Sequence, residues 1–311
     1  MPFATCQVDL DGLWAIRRCY EHPDAGGQEA AGKPEDDDPV YAKGLPRFLE
    51  LFEQAGVKAT FFVVGQDAAV SWKAELLRQA VAAGHELANH SHSHELDMAA
   101  LSPEQQQQEI AQAQQAIEAA VGHRPRGFRA PGYSLSPSLL QLLAAAGYLY
   151  DASLLPTHWG WLLRGITRWL ASGPTSPSQF SGCWAGPRPL DAFRPEPDAK
   201  LWELPVAVSP RWRLPFHGGM ALTLGRRYFN SCLKSCRKAG ICLHYVMHGV
   251  ELTGLGAHEL TGRSRGRIFF SKSEKERNDF TRETLKNILV CYQSLTMLEF
   301  AQQLGAKKAA K

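Results

Sequence analysis

Apolar side chains follow two alternating patterns along this chain. Residues 4–8 and 59–64 form short continuous runs with β-branched and aromatic members, which are typical of buried strands. Residues 44–55 instead carry apolar side chains three and four positions apart and end at Gly56, as an amphipathic helix closed by glycine does. Strands that alternate with helices in this way predict an α/β fold with a parallel sheet.

The same alternation continues to residue 247. Further strands are predicted over residues 85–89, 127–129, 148–152, 201–208 and 240–247. Further helices are predicted over residues 72–83, 102–121 and 136–146, and the last two open with serine followed by proline.

Two segments interrupt the alternation. Residues 22–39 are rich in proline, glycine and aspartate, which indicates a solvated loop inserted after the first strand. Residues 156–200 are rich in proline and tryptophan and indicate a long loop or lid. We therefore expect one domain over residues 1–305 with these two insertions, followed by a disordered tail over residues 306–311.

Composition argues against several classes of protein. The 311 residues include 34 basic and 31 acidic side chains, and a formal charge of +3 is too small to indicate a nucleic-acid partner. Seven cysteines at irregular spacing do not form a structural zinc motif. We find no apolar run long enough to span a membrane and no export signal in the first residues, so we expect a cytoplasmic protein.

Acidic and histidine residues cluster where three predicted strands end. Asp9 and Asp11 lie on one side of an extended chain, and His90 and His94 would share one face of a helical turn. A third cluster spans residues 244–248. Each cluster alone could be a solvated turn or a surface patch. Together, at the converging carboxyl ends of parallel strands, they indicate a divalent metal site with positions open for water and substrate.

Arg129 leaves a predicted strand just before a Pro-Gly turn. Beside two aspartates it would hold one of them ionised through paired hydrogen bonds, whereas the alternative is a surface cation before an ordinary turn.

Five ordered segments resemble the NodB-homology polysaccharide deacetylases, which form carbohydrate esterase family 4. The resemblance implies a distorted, incomplete (β/α)7 barrel and extends over nearly the whole chain. The segments that carry it are Val8–Asp11, Gly56–Phe62, Gly84–His94, Gly127–Ser134 and Tyr148–Ser153.

The resemblance also implies roles for individual residues. Asp9 matches the general base that takes a proton from water, while Asp11, His90 and His94 match the ligands of a divalent ion, zinc. Arg129 matches the arginine that pairs with the base.

A further match concerns the oxyanion, and two segments depart from the commonest pattern. The main-chain amide near Gly132 and Tyr133 would bind the oxyanion. This sequence has Asp-Leu-Asp where the commonest pattern has adjacent aspartates, and Arg-Ala-Pro-Gly-Tyr where that pattern has Arg-Pro-Pro-Tyr. Both departures resemble a branch that includes enzymes of envelope glycans and cyclic amidases.

The general acid is one of two histidines. In the branch that the sequence resembles, an acid follows the histidine by three positions, and Glu251 satisfies this for His248. His244 has no such acid and is the second choice. His92 would point away from its neighbours on a helical turn and is left out.

These features predict a hydrolase that removes an N-acyl group, most simply acetyl, from an amino sugar. The substrate would be a small amino-sugar compound, a glycan or a lipid-linked sugar. The alternatives are a deformylase, a cyclic amidase acting on another C–N bond, or a silent carbohydrate-binding domain. The sequence does not predict an oligomeric state.

Residues 158–170 raise a further question about membrane contact. If helical, this segment is basic and amphipathic, with Trp161, Leu162, Trp169 and Leu170 as its apolar members. Arg164 and Arg168 are its cations. Such a helix either packs on the barrel as a lid or rests peripherally on an anionic membrane surface.

Overall fold

The computed structural model describes residues 1–20, 32–170, 179–180, 188–196, 200–256 and 271–309. The strands are β1 (Phe3–Leu10), β2 (Thr60–Val63), β3 (Glu86–Asn89), β4 (Gly127–Phe128), β5 (Tyr150–Asp151), β6 (Trp202–Glu203), β7 (Leu243–His248) and β8 (Gln293–Ser294). Seven of them run parallel in the order β6-β5-β4-β3-β2-β1-β7, and β8 pairs with the first residues of β1.

Helices connect these strands. They are α1 (Leu13–Tyr20), α2 (Leu45–Ala55), α3 (Gly65–Ala68), α4 (Ser71–Ala82), α5 (Pro103–Val121), α6 (Pro137–Ala145), α7 (Gly160–Leu170), α8 (Gly218–Ala239), α9 (Glu274–Cys291) and α10 (Met297–Ala309). The predicted start of α5 is present as a capping box between Ser102 and Gln105. Within the described ranges, no helix combines the length and the hydropathy that crossing a membrane requires.

The two ends of the strand order approach each other. The amide of Ala207, which follows β6, donates to the carbonyl oxygen of His244 on β7 over 3.1 Å. This bond curls the sheet towards a barrel that the seven strands leave incomplete. The predicted incomplete (β/α)7 barrel is therefore confirmed.

Strands β1 and β7 divide their side chains between two faces. Ala4, Cys6, Val8 and Leu10 of β1 pack in the main apolar core, because alternate residues of a strand point the same way. The intervening residues of β1 point to the inner face of the barrel, where they are polar yet 3% exposed or less. They are Thr5, Gln7 and Asp9. The same alternation places His244 and His248 of β7 on this inner face.

Three expectations differ from the structure. Strand β6 ends at Glu203, earlier than predicted, because Pro205 has no amide hydrogen to continue a ladder. The segment predicted as a loop or lid contains the helix α7, and its residues 171–178, 181–187 and 197–199 lie outside the described ranges. The predicted disordered tail is wrong for residues 306–309, which continue α10.

Candidate active site

Asp9 is fixed at the end of β1 by a buried arginine. Arg129 follows β4, is fully buried, and donates from Nη1 to Asp9 Oδ1 over 2.6 Å. Its Nε donates to the carbonyl oxygen of Ala152 over 3.0 Å, and its Nη2 donates to Gln7 Oε1. The guanidinium carbon lies 4.0 Å from the ring centre of Phe62. The predicted contact between Arg129 and Asp9 is present, and each guanidinium nitrogen has a buried acceptor.

Asp11 and two histidines form a second group. The Asp11 Oδ1 atom lies 3.2 Å from Nε2 of His90 and 3.2 Å from Nε2 of His94. His90 Nδ1 lies 2.8 Å from the carbonyl oxygen of Arg129. A carbonyl oxygen only accepts, so this Nδ1 carries a hydrogen and the neutral ring presents a lone pair at Nε2.

This second group fits a divalent cation. Asp11 Oδ1 is buried, has no hydrogen-bond partner among the described residues and faces both imidazole nitrogens. The three candidate ligand atoms all lie within 4.8 Å of one another. Burial lowers the pKa of His94, but the charge of Asp11 outweighs burial and raises that pKa to about 9, so the group favours a positive charge. Imidazole and carboxylate are donors that suit zinc and related ions.

The loop after β3 brings the two histidines together without a helical turn. Ser91 and His94 adopt left-handed backbone conformations, with φ of 62° and 56°. Glu109 of α5 holds this loop, since its Oε2 accepts from the amides of His92 and Ser93 over 2.8 and 2.9 Å. The predicted helical geometry is therefore wrong, although both rings do converge. His92 is not part of the group.

His248 faces Asp9 from the neighbouring strand. Its Nε2 lies 4.0 Å from Asp9 Oδ2, and its Nδ1 lies 3.3 Å from Glu251 Oε1. Burial lowers the pKa of His248, but the hydrogen bond to Glu251 and the charges of both carboxylates outweigh it and raise that pKa to about 9. The imidazole is therefore poised in its protonated form.

His244 lies in the wall of the barrel instead. It is 1% exposed, and its Nδ1 lies 2.9 Å from Thr5 Oγ1. That hydroxyl oxygen also accepts from Gln7 Nε2 over 2.6 Å. Burial lowers the pKa of His244 to about 3, which keeps the ring neutral.

His217 also lies near the candidate site and was not predicted from the sequence. His217 precedes α8, and its ring centre lies 6.2 Å from that of His248. Its Nδ1 is buried and has no hydrogen-bond partner in the described part of the chain, and burial lowers the pKa of His217 to about 3. The available signal in the sequence was a histidine directly before Gly218 and Gly219 at the start of a helix.

Gly132 and Tyr133 form a tight turn after Arg129. Both have left-handed backbone conformations, with φ of 60° and 57°. The Tyr133 amide donates to the carbonyl oxygen of Ala130 over 3.2 Å, which is the long end of the normal range. Within the described ranges, the buried Tyr133 hydroxyl has no hydrogen-bond partner. The oxyanion-binding role of this turn stays a prediction.

A buried lysine lies behind the loop that carries Asp11. Lys73 of α4 is fully buried, and its Nζ lies 2.7 Å from Asp38 Oδ2 and 2.6 Å from Asp67 Oδ1. Asp38 is 2% exposed. The prediction that residues 22–39 form a solvated loop is therefore wrong at Asp38, because Lys73 draws its carboxylate inside. Residues 22–31 lie outside the described ranges.

The two carboxylates beside Lys73 hold the backbone next to Asp11. Gly12 donates its amide hydrogen to Asp67 Oδ2 over 3.2 Å, and Leu13 donates its own to Asp38 Oδ2 over 3.0 Å. These amides open α1, where anionic groups are favoured by the exposed N–H groups of a helix start. The lysine and its carboxylates thus fix the position of Asp11.

Sequence comparisons link the chain to known deacetylases. The sequence profile of the family described as polysaccharide deacetylase matches residues 36–150. A chitooligosaccharide deacetylase of Bradyrhizobium sp. (strain ANU 289) is 34% identical over 166 residues, which make up 51% of this chain and 70% of the relative. A peptidoglycan deacetylase of Helicobacter pylori is 32% identical over 112 residues, covering 36% of this chain and 37% of that protein. The chain thus spans much of the first relative but little more than a third of the second.

Solved structures agree on the fold. A Mycobacterium smegmatis protein assigned to the polysaccharide deacetylases superposes with a TM-score of 0.61 at 20% identity, covering 98% of this chain and 90% of its own. The PuuE allantoinase superposes with a TM-score of 0.58 at 14% identity, covering 97% and 90%. Since the rhizobial relative is covered over most of its length and the family profile spans His90, His94 and Arg129, the chain belongs to the polysaccharide deacetylase family.

Proposed function

We propose that this chain is a metal-dependent hydrolase that removes the acetyl group from the nitrogen of an amino sugar. The observation that carries the proposal is the position of Asp9, held by Arg129 at one oxygen and facing His248 with the other. The names of the curated relatives, which are deacetylases of chitooligosaccharides and peptidoglycan, support an amino-sugar substrate.

The group formed by Asp11, His90 and His94 would hold the ion, for which zinc is the best match to two imidazoles and one carboxylate. When bound, such an ion supplies Lewis acidity, which acidifies a water and polarises the amide carbonyl. His90 suits this role because its Nδ1–H donates to the Arg129 carbonyl oxygen, which leaves the Nε2 lone pair for the ion.

Asp9 would act as the general base. Its Oδ1 is occupied by Arg129, so Oδ2 is the oxygen left to take a proton from the attacking water. Because Arg129 is anchored at Ala152 and Gln7 as well, the carboxylate cannot rotate away from this position. The water oxygen then bonds to the carbonyl carbon of the acetamide.

His248 would act as the general acid. Its Nε2 faces the site, while Glu251 holds its Nδ1 and favours the protonated ring. The ring gives its proton to the sugar nitrogen as the C–N bond breaks, which releases acetate and a free amine. The proton taken by Asp9 and the proton given by His248 balance the hydrolysis.

The turn at Gly132 and Tyr133 would bind the developing oxyanion. The Tyr133 amide makes a long bond of 3.2 Å within its own turn, and it can exchange that acceptor for the negatively charged oxygen. Gly132 matters for this geometry because its φ of 60° sits in the left-handed region that glycine adopts without strain.

Acetate release from N-acetylated chitooligosaccharides, measured with and without a chelator, tests the proposal. We expect turnover that a chelator abolishes, that added zinc restores, and that Asp9→Asn removes. Formate from a formamido sugar, or opening of a cyclic ureide without acetate release, would instead identify a deformylase or a cyclic amidase. Oligosaccharide binding without any turnover would identify a silent binding domain.

A further inference from the structure

The helix α7 exposes an apolar face beside the candidate site. Trp161 is 66% exposed, Leu162 39% and Ile166 38%, although large apolar side chains seldom lie together in water. These positions are spaced so that one face of a helix carries all three. A helix that packed on the barrel through these residues would bury them, so the lid interpretation does not account for this face.

The opposite side of α7 attaches the helix to the barrel. Leu163 packs against the apolar cluster that contains Tyr133, and Arg164 donates from Nη1 to the carbonyl oxygen of Gln179 over 3.1 Å. Phe180, next in the chain, donates its amide hydrogen to the carbonyl oxygen of Gly132 over 2.8 Å. The helix therefore borders the turn that we place at the oxyanion.

A neighbouring loop extends the exposed face. Trp212 is 60% exposed, and its carbonyl oxygen accepts from Trp159 Nε1 over 2.8 Å, which joins this loop to the residue before α7. The exposed Arg211 lies with its guanidinium carbon 5.2 Å from the Trp212 ring centre. Segments 156–170 and 206–217 together contain four arginines and no aspartate or glutamate.

We propose that this face, defined by Trp161, Leu162, Ile166, Arg211 and Trp212, rests on an anionic membrane surface. Tryptophan and arginine favour the interface between headgroups and acyl chains, while the leucine and isoleucine reach into the apolar boundary. Arg211, which is exposed beside Trp212, complements acidic lipid headgroups. A sugar chain explains the face less well, since its hydroxyl groups gain little from exposed aliphatic side chains.

The membrane contact also indicates a substrate class, and this part of the inference rests on the proposed function. Because α7 borders the turn at Gly132, a membrane under the exposed face would lie next to the site. An amino sugar linked to a lipid would then be presented at the site by the membrane that holds the enzyme. The substrate class that follows is a lipid-linked acetamido sugar.

Vesicle co-sedimentation of the full chain tests the membrane contact without using activity. Vesicles of equal phosphatidylcholine and phosphatidylglycerol are compared with vesicles of phosphatidylcholine alone, at low and high salt. We expect binding to the anionic vesicles that salt weakens. We expect the double variant Trp161→Ser/Leu162→Ser and the single variant Arg211→Glu each to bind about tenfold more weakly.

A matched control uses exposed apolar residues elsewhere. Leu224 and Val290 are 52% and 66% exposed on other helices, and Leu224→Ser/Val290→Ser should bind vesicles as the parent does. Equal loss in both double variants, or no binding by the parent, would overturn the proposal. So would tryptophan quenching by a chitooligosaccharide that requires Trp161 while vesicles have no effect.

Activity separates this inference from the proposed function. A synthetic acetamido sugar on a lipid anchor is compared with the same sugar in water, and the parent should favour the anchored form by about tenfold. The preference should vanish in Trp161→Ser/Leu162→Ser while the rate on the soluble sugar is kept. Vesicle binding without turnover of either sugar would contradict the proposed function but support the membrane contact. Equal rates on both sugars would contradict the inference that the substrate is lipid-linked.

Discussion

Asp9 on β1 and His248 on β7 occupy paired positions of neighbouring parallel strands, and Asp9 Oδ2 lies 4.0 Å from His248 Nε2. Thr5 and His244 are paired in the same way four residues earlier. At about 3.3 Å per residue this second pair lies about 13 Å from the first, towards the start of both strands. The register of the two strands therefore decides which histidine meets the proposed base.

The general acid can be tested by truncating each histidine in turn. His248→Ala should lower kcat by roughly 10²–10⁴, because it removes the proposed proton donor to the leaving nitrogen. His244→Ala should lower the free energy of unfolding by about 1–3 kcal/mol, since Thr5 loses a buried partner, while kcat falls much less. Kinetics and urea unfolding of both variants check this, and the opposite ranking of kcat would move the acid to His244.

The decrease of kcat at alkaline pH should report the deprotonation of His248. The pKa of His248 is raised to about 9, so the protonated acid is present below this pH and activity falls as pH rises through it. Glu251→Gln removes the carboxylate that contributes to this shift and should move the limb to lower pH. A pH profile of kcat in the parent and the variant measures the shift, and an unmoved limb would remove Glu251 from this role.

The proposed metal ligands can be tested against a histidine in the same loop. His94→Ala should lose bound divalent ion together with turnover, because two remaining ligands hold a labile ion poorly. His92 lies in the same loop but outside the ligand group, so His92→Ala should keep both properties. Metal analysis of the purified proteins supplies a readout apart from activity. Stoichiometric metal in His94→Ala would contradict the assignment.

Local patterns were enough to predict the strands and helices that carry the site. These patterns depend on near neighbours in sequence. They are the apolar run of β2, Ser102 and Pro103 at the start of α5, and the polar clusters at strand ends. The convergence of Asp9 with Arg129 followed from the rule that parallel strands end at one face.

Contacts between distant residues account for what the sequence did not show. Asp38 belongs to a run of three aspartates that is typical of a solvated loop. Its carboxylate is instead held inside by Lys73, 35 residues along the chain, and by the amide of Leu13. His90 and His94 meet through left-handed backbone at Ser91, which residue spacing cannot indicate. The polar inner face at Gln7 likewise depends on Arg129, which is 122 residues away.

Lys73 offers a test of how the fold supports the site. Lys73→Met leaves the buried carboxylates of Asp38 and Asp67 without their cation and should lower the free energy of unfolding by about 3–5 kcal/mol. Lys43 is exposed, and Lys43→Met should stay within about 0.5 kcal/mol of the parent. Urea unfolding compares the two, and equal stability would show that the buried lysine is dispensable.

The same variant should weaken metal binding, because the loop that holds Asp11 loses its support at Gly12. Isothermal titration with zinc at a temperature where Lys73→Met remains folded checks this second effect. Unchanged zinc affinity would show that Lys73 contributes to the stability of the fold but not to metal binding.

His85 predicts how stability depends on pH. The amide of Ala59 donates to His85 Nδ1 over 3.0 Å, so the folded chain needs this nitrogen unprotonated. Burial and the charge of Lys58 lower its pKa from 6.5 to about 4. Between these values the unfolded chain binds more protons, so acidification through this window should reduce the free energy of unfolding by about 2–3 kcal/mol.

An asparagine at this position separates titration from hydrogen bonding. In His85→Asn, Oδ1 can still accept the Ala59 amide hydrogen, but the side chain no longer takes up a proton. The variant should therefore lose less stability than the parent between pH 6.5 and pH 4, by an amount that matches the contribution of His85. Urea unfolding at several pH values measures the difference. The same acid-induced loss in both proteins would show that other buried groups govern this pH window.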